Sequence, residues 1–234
     1  MGVMKKQYQR KNKRSWGSFI LLLFYVNVGI DVAGEIYWDL FHPEQPAVAT
    51  TAIQEDSNYG RLITKYAQRY GLDWRFVASI IQAESSFKPD AVSSVGAVGL
   101  MQVLPWVAHA DGVTNIQDPE ENIRFGLKHY TRYFKVLRGQ TMEDTLKINL
   151  AAYNAGIGHI RDAKRLAKFM GKNPNKWSSI EKVLPLLEDK EFYTSATYGY
   201  CQGTSVVAYV HKIFKTYGKY REKHPEYPVL IQEM

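Results

Sequence analysis

The chain is short of almost everything that marks the commoner functional classes. Among 234 residues it has one cysteine, Cys201, so no disulfide can form within it and no cysteine near its start can accept a lipid. Its six histidines, at 42, 109, 129, 159, 211 and 224, show no paired spacing such as HExxH, so no metal site is expected. No run alternates polar and apolar residues over the length of a strand, and nothing repeats. Positive charge is missing where a nucleic-acid footprint would need it. The formal net charge is +7, yet Lys5, Lys6, Arg10, Lys11, Lys13 and Arg14 stand together near the start without an acid, and the rest of the chain balances 24 basic against 23 acidic side chains. A nearly neutral body gives a phosphate backbone no electrostatic hold, so no nucleic-acid partner is expected.

What is present begins with that basic stretch, which runs into an apolar segment at 18–30 interrupted by Asn27. Followed by Val32-Ala33-Gly34, it has the pattern of an export signal. The apolar core reaches only about 20 Å as a helix, short of the ~30 Å hydrocarbon thickness, and counting from Trp16 to Gly34 gives a marginal span. Two readings of residues 1–34 stay open, a cleaved signal peptide and an uncleaved anchor that would hold the protein on the membrane. In both, the Lys/Arg excess keeps the N-terminus in the cytoplasm and delivers the body to the periplasmic side of the envelope. Residues 35–56, with His42-Pro43-Glu44-Gln45-Pro46 and AVATTA, read as a spacer.

From Tyr59 onward helical periodicity takes over. The pattern predicts helices near 59–70, 73–85, 99–108, 119–137, 142–154, 158–170, 178–187 and 204–220, with room for a short β-hairpin at 88–98. Asp118-Pro119 marks a helix start, with Glu120 and Glu121 favourable in the first turn. Thr141 with Asp144 resembles a capping box, and Gly139, Gly156 and Gly171 are plausible stops. The fold class is mainly α, a single helical domain at 57–220, followed by a loose tail at 221–234 that holds Pro225 and Pro228.

One helix carries an acid in an unusual place. In Asp73–Glu84 the residues Phe76, Val77, Ile80, Ile81 and Ala83 form an apolar stripe, and Glu84 falls one turn after Ile80. A carboxylate on the apolar face of its own helix needs a partner or a purpose. Desolvation and the negative end of the helix dipole should raise its pKa and suit it to protonate a glycosidic oxygen. The structural alternative is a glutamate satisfied by backbone donors or an arginine, and the helix by itself does not choose. The residues that follow add polar and small groups fit for a sugar: Ser85 and Ser93 as short donors, Gly96, Ala97 and Gly99 for close approach, Met101 and Gln102 as apolar surface beside an amide. Farther on, Tyr153 offers a ring to stack on a pyranose and Asn154 an amide for hydroxyl or N-acetyl groups.

These segments, ESSFKPDAVSSVGAVGLMQVLP (84–105), DPEENIRFGLKHY (118–130) and AAYNAG (151–156), resemble the lytic transglycosylase domain of glycoside hydrolase family 23, with its lysozyme-like fold. The stretches LPLLEDKEFYTSATYGYCQG (184–203) and AYVHKIFKTY (208–217) are similar to the catalytic domain of the F group of membrane-bound lytic murein transglycosylases. The resemblance covers roughly 57–220. It implies peptidoglycan glycan strands as the partner, neither metal nor organic cofactor, Glu84 as sole catalytic acid and base, and substrate contacts from Ser85, Ser93, Gly99, Met101, Gln102, Tyr153, Asn154 and Tyr209. Two departures stand out. A spacer occupies the place of a solute-binding-type domain, and Cys201-Gln202-Gly203-Thr204-Ser205 replaces an Ala-Arg-Gly-x-Glu-like stretch, removing an arginine and an acid expected near Tyr209.

A hydrolytic glycosidase ordinarily uses two carboxylates. Downstream of Glu84 the nearest acids are Asp90 and Asp111 and the helix-starting Asp118, Glu120 and Glu121, none on an evident catalytic face. One carboxylate suggests substrate-assisted chemistry, and the resemblance implies non-hydrolytic cleavage; two rivals stay open, a goose-type lysozyme-like muramidase using the same acid and a non-catalytic peptidoglycan-binding scaffold. Oligomeric state is not readable from the sequence.

Overall fold

The computed structural model describes residues 59–225; the expected signal or anchor segment and the spacer lie outside them. The described residues are mainly helical and form two compact units, one of 59–126 with 223–225 and the other of 127–222. The helices are α1 (Gly60–Arg69), α2 (Trp74–Glu84), α3 (Pro105–Ala110), α4 (Pro119–Thr131), α5 (Met142–Ala155), α6 (Ile157–Phe169), α7 (Trp177–Val183), α8 (Lys190–Tyr193) and α9 (Gly203–Lys223), with a 3-10 turn at Leu184–Glu188 between α7 and α8. No helix among them is long and apolar enough to cross a membrane.

In the first unit α1 and α2 pack together, and Ile63, Phe76, Val77, Ile80 and Ile81 are all fully buried. Each such side chain contributes roughly 1.5–3 kcal/mol. Helix α2 starts on Asp73, whose carboxylate accepts from the Arg75 N–H at 2.9 Å. The same carboxylate holds the Arg75 guanidinium at 2.6 Å with both side chains out of water, and Arg75 donates on to the His224 carbonyl at 2.7 Å. Breaking one partner of such a pair costs about 3–5 kcal/mol. The expected loose tail is therefore tied at its start: α9 continues to Lys223 and His224 is buried, its ring 5.3 Å from that of Trp74.

Three other helices differ in extent. The one expected at 178–187 is an α-helix only to Val183 and continues as the 3-10 turn that holds Pro185. The helix expected at 99–108 begins only at Pro105, because Gly99 and Gln102 have positive φ and Leu104 is extended. Proline at the first helical position is a start signal. The helix expected at 119–137 stops at Thr131; Arg132 still donates to the Lys128 carbonyl at 3.1 Å, and the chain then passes into turns, Phe134 bonding three residues back to the Thr131 carbonyl at 3.0 Å. The expected hairpin at 88–98 is reduced to a Val92–Val98 bridge, and Val98 also bridges Val103, both antiparallel.

The second unit is built from regular helices. α5 packs on α6, and α7 packs on both. Thr141 and Asp144 form the expected capping box on α5. The other Asp144 oxygen accepts from the Trp177 N–H at 2.8 Å, which joins the start of α7 to the start of α5. Gly156 ends α5, as expected, and α6 follows at once.

Candidate active site

Glu84 is the last residue of α2 and is half-buried. Behind it the chain turns sharply. Ser86 and Phe87 both take positive φ, 53° and 60°, and Gln102 takes 48°; among the described residues these are the non-glycine positions that do so. Each costs roughly 1–2 kcal/mol for an L-residue, so residues 85–104 hold a conformation that the surrounding contacts must impose.

Those contacts are specific. The Ser85 hydroxyl is buried and donates to the Leu100 carbonyl at 2.9 Å, with the Ile81 carbonyl at 3.2 Å. Its proton is thus spent fastening the glycine-rich loop to the end of α2. Gln102 donates from its amide nitrogen to the Ala91 and Gly99 carbonyls at 3.1 and 2.9 Å, so its amide oxygen is the atom left to accept. Ser93 accepts from the Ala97 N–H at 3.0 Å and keeps its hydroxyl proton to donate. Met101 is fully buried, with its side chain packed on Gly126, where an added Cβ would come within 2.7 Å of the Met101 sulfur. The apolar surface expected of Met101 is turned inward and supports the loop from behind.

The centre of this arrangement is Asn122, a residue given no role by sequence reasoning. It is wholly buried. Its amide nitrogen donates to the Val98 and Ile116 carbonyls at 3.0 and 2.9 Å, and its oxygen accepts from the Met101 N–H at 2.8 Å. Gly99, at φ 78°, lies so close that a Cβ there would sit 2.3 Å from the Asn122 amide. Gly99 is required by that approach as well as by its backbone angle. The only signal in the sequence was the small uncharged amide among the acids and cations of 118–128.

Three further acids of this unit, Asp118, Glu120 and Glu121, have other employment. Asp118 accepts from the Glu121 N–H at 2.9 Å. Glu120 is held below the ordinary carboxylate range by hydrogen bonds from Lys65 at 3.0 Å and Tyr66 at 2.9 Å. Glu121 pairs with Arg124 at 2.7 Å, Asp111 closes α3, and Asp90 is exposed.

In the second unit Tyr153 and Asn154 stand in the last turn of α5, Tyr153 half-buried and Asn154 exposed. The Tyr153 ring is flanked by those of His129 at 5.8 Å and Tyr130 at 6.2 Å, tilted and edge-on respectively, arrangements that fix an aromatic ring in place. Tyr130 is itself locked by a hydrogen bond to the Leu146 carbonyl at 3.0 Å. Tyr209 lies half-buried on α9. At the atypical 201–205 stretch, Cys201 is buried and its thiol is pushed up to about 11 by desolvation, with Glu188 and Asp162 adding to the shift. Such a thiol is inert at neutral pH. Glu188 accepts from the Thr204 N–H at 2.6 Å, so α9 has an acid at its start although Ser205 replaces the expected one. Among the described residues no three His, Cys, Asp or Glu side chains gather as metal ligands.

A mainly helical chain with a lone acid ending an apolar helix and a braced glycine-rich loop behind it matches a known domain. Residues 61–176 fit the model of the Transglycosylase SLT domain. Membrane-bound lytic murein transglycosylase F from Desulfosudis oleivorans is 42% identical over 165 residues, 69% of this chain and 36% of the relative. The protein of the same name from Marinobacter nauticus is 40% identical over 164 residues, 68% of this chain and 32% of its own length. The structure of an inactive mutant of the lytic transglycosylase Slt from Pseudomonas aeruginosa aligns with TM-score 0.50 at 20% identity, over 86% of this chain and 31% of that one, and supports the expected lysozyme-like fold. The chain belongs to the transglycosylase SLT family. It spans about a third of the length of the curated relatives it matches.

Proposed function

We propose that the chain is a peptidoglycan lytic transglycosylase that cuts the β-1,4 bond from N-acetylmuramic acid to N-acetylglucosamine without water. Glu84 first protonates the bridging oxygen, which leaves as the hydroxyl of the N-acetylglucosamine. The muramoyl N-acetyl group stabilises the cation developing at C1. The Glu84 carboxylate then takes the proton of the C6 hydroxyl, and that oxygen bonds to C1, closing a 1,6-anhydro ring. Glu84 ends protonated, as it began.

The observation that carries this reading is the employment of four acids of the first unit. A two-carboxylate hydrolase needs a second acid facing the bond, yet Asp73, Asp118, Glu120 and Glu121 are each engaged by a cation, a phenol or a helix start. Glu84 stands half-buried beside a loop whose strained form is braced from behind. The Ser93 hydroxyl proton, the Gln102 amide oxygen, Tyr153, Asn154 and Tyr209 are the groups assigned to hold the sugars. The basic and apolar N-terminal residues would place this activity on the periplasmic side of the envelope, released or membrane-held.

Digestion of purified sacculi followed by mass spectrometry of the fragments tests the proposal. Anhydro-ended muropeptides are expected. Reducing ends carrying an added water would replace it with a muramidase, and sacculi bound but left uncut would replace it with a scaffold.

A further inference from the structure

Tyr198 and Tyr200 are exposed aromatic side chains, 50% and 52% accessible. They lie in the loop between α8 and α9, whose Tyr-Gly-Tyr sequence no step of the mechanism uses. An exposed aromatic ring is ordinarily mobile and unremarked. Tyr198 is neither, because the fold spends a buried charge to hold it. Asp162, on α6, is wholly buried. Its two oxygens accept from consecutive backbone N–H groups, Thr197 at 2.9 Å and Tyr198 at 2.8 Å. Its charge is matched by Arg165, which also donates to the Thr197 hydroxyl at 2.8 Å. The Tyr198 ring packs directly on Gly158, where a Cβ would lie 2.5 Å from a ring carbon. Only glycine admits the ring there. Tyr200 is braced in turn by Tyr193, ring to ring at 5.7 Å and nearly perpendicular.

The position of Gly158 gives this platform a purpose. Tyr153 and Asn154 occupy the last turn of α5, and Gly158 occupies the first turn of α6. Gly158 follows Asn154 by four positions, so their Cα atoms are at most about 14 Å apart, within the length of a short oligosaccharide. Tyr198 therefore stands on the same end of these two helices as the sugar-binding pair. A rigid ring with a hydroxyl at its edge loses little entropy on stacking against a pyranose and can bond its hydroxyls.

We propose that Tyr198, presented by Asp162 and Gly158 and flanked by Tyr200, is a further glycan-stacking subsite that engages sugar rings beyond those held at Tyr153 and Asn154. The subsite rests on the glycan reading given above. It makes the protein prefer long strands to short fragments.

Binding of N-acetylglucosamine hexamer and dimer to the full chain, measured by calorimetry, tests it together with sacculus digestion. Tyr198→Ala should weaken the hexamer about three- to tenfold and leave the dimer unchanged. Tyr198→Trp should restore the hexamer, and in digestion the loss should appear in KM more than in kcat. Asp162→Asn, which keeps the shape but weakens the hold on the loop, should reproduce a smaller part of the hexamer effect. Equal hexamer affinity in wild type and Tyr198→Ala overturns the subsite while leaving the glycan reading intact. Equal losses for dimer and hexamer with a lowered melting temperature also overturn it, by making Tyr198 structural. A wild type that neither binds the oligomers nor cuts sacculi overturns the subsite and the glycan reading together.

Discussion

In the unit of 59–126 with 223–225, helix α2 ends on Glu84 and gives way to residues 85–104, which form no helix and contain three non-glycine residues at positive φ. In the unit of 127–222, the assigned Tyr153, Asn154 and Tyr209 all sit on regular helices. The first unit sets the proposed acid, at the end of α2, beside a loop under strain that is braced by Asn122 and Ser85. The second presents its polar and aromatic groups from helix turns fixed by capping and ring packing. Strain of this kind is tolerated where atoms must be placed against local preference. Helix ends and clamped rings suffice where a surface has only to be offered to a ligand. The contrast predicts that small chemical changes in the first unit remove activity, whereas comparable changes in the second remove only stability or affinity.

The largest effect tests the proposed acid itself. Glu84→Gln keeps the shape and should lower the rate of sacculus digestion at least about 10²–10⁴-fold, with thermal stability changed by less than about 0.5 kcal/mol. A variant that retained activity would break the comparison, since the strained unit would then hold no chemistry.

Next comes Asn122→Asp, which is nearly isosteric and so respects the close approach of Gly99. It sets an acceptor against the Val98 and Ile116 carbonyls in place of a donor, at a cost of about 3 kcal/mol. Displacement of the loop should lower the digestion rate about 10²-fold. Two carbonyls facing the new carboxyl would raise its pKa in the folded state. A group raised in this way is at its least destabilising below its unfolded value of about 3.9, and the variant loses stability as pH climbs through the raised value. Chemical denaturation at several pH values checks this, and a pH-independent difference from wild type would disprove the donor role of Asn122.

The smallest effect belongs to the second unit. Thr141→Ala removes one half of the capping box on α5 and should cost about 1 kcal/mol by thermal melting. Asp144 keeps its bond to the Trp177 N–H, and the specific digestion rate should stay at the wild-type level. A drop in rate as large as that of Asn122→Asp would erase the distinction between the units.

Much of the helical framework was legible because its signals are local. Asp118-Pro119, the Thr141–Asp144 box and Gly156 each act within one turn of the backbone they cap or end. The apolar stripe of α2 was equally plain, and Phe76, Val77, Ile80 and Ile81 are fully buried. The end of α4 at Thr131 was not legible, because no glycine or proline marks it. The helix expected at 99–108 failed because positive φ at Gln102 is no property of glutamine: it is imposed by bonds to Ala91 and Gly99.

By itself, then, the sequence determined most of the helices in their order, the caps at Asp118 and Thr141, the place of Glu84 at the end of an apolar helix and the SLT family. These depend on periodicity and on groups a few residues apart. Only the tertiary structure decided that Met101 faces inward, that Ser85 spends its proton on Leu100, that Asn122 organises the loop and that Asp162 holds out Tyr198. Those bonds join residues 15 to 36 positions apart. A hydrogen bond of that span leaves no periodic trace in the chain, because it exists only once packing has excluded water and brought the two groups within reach.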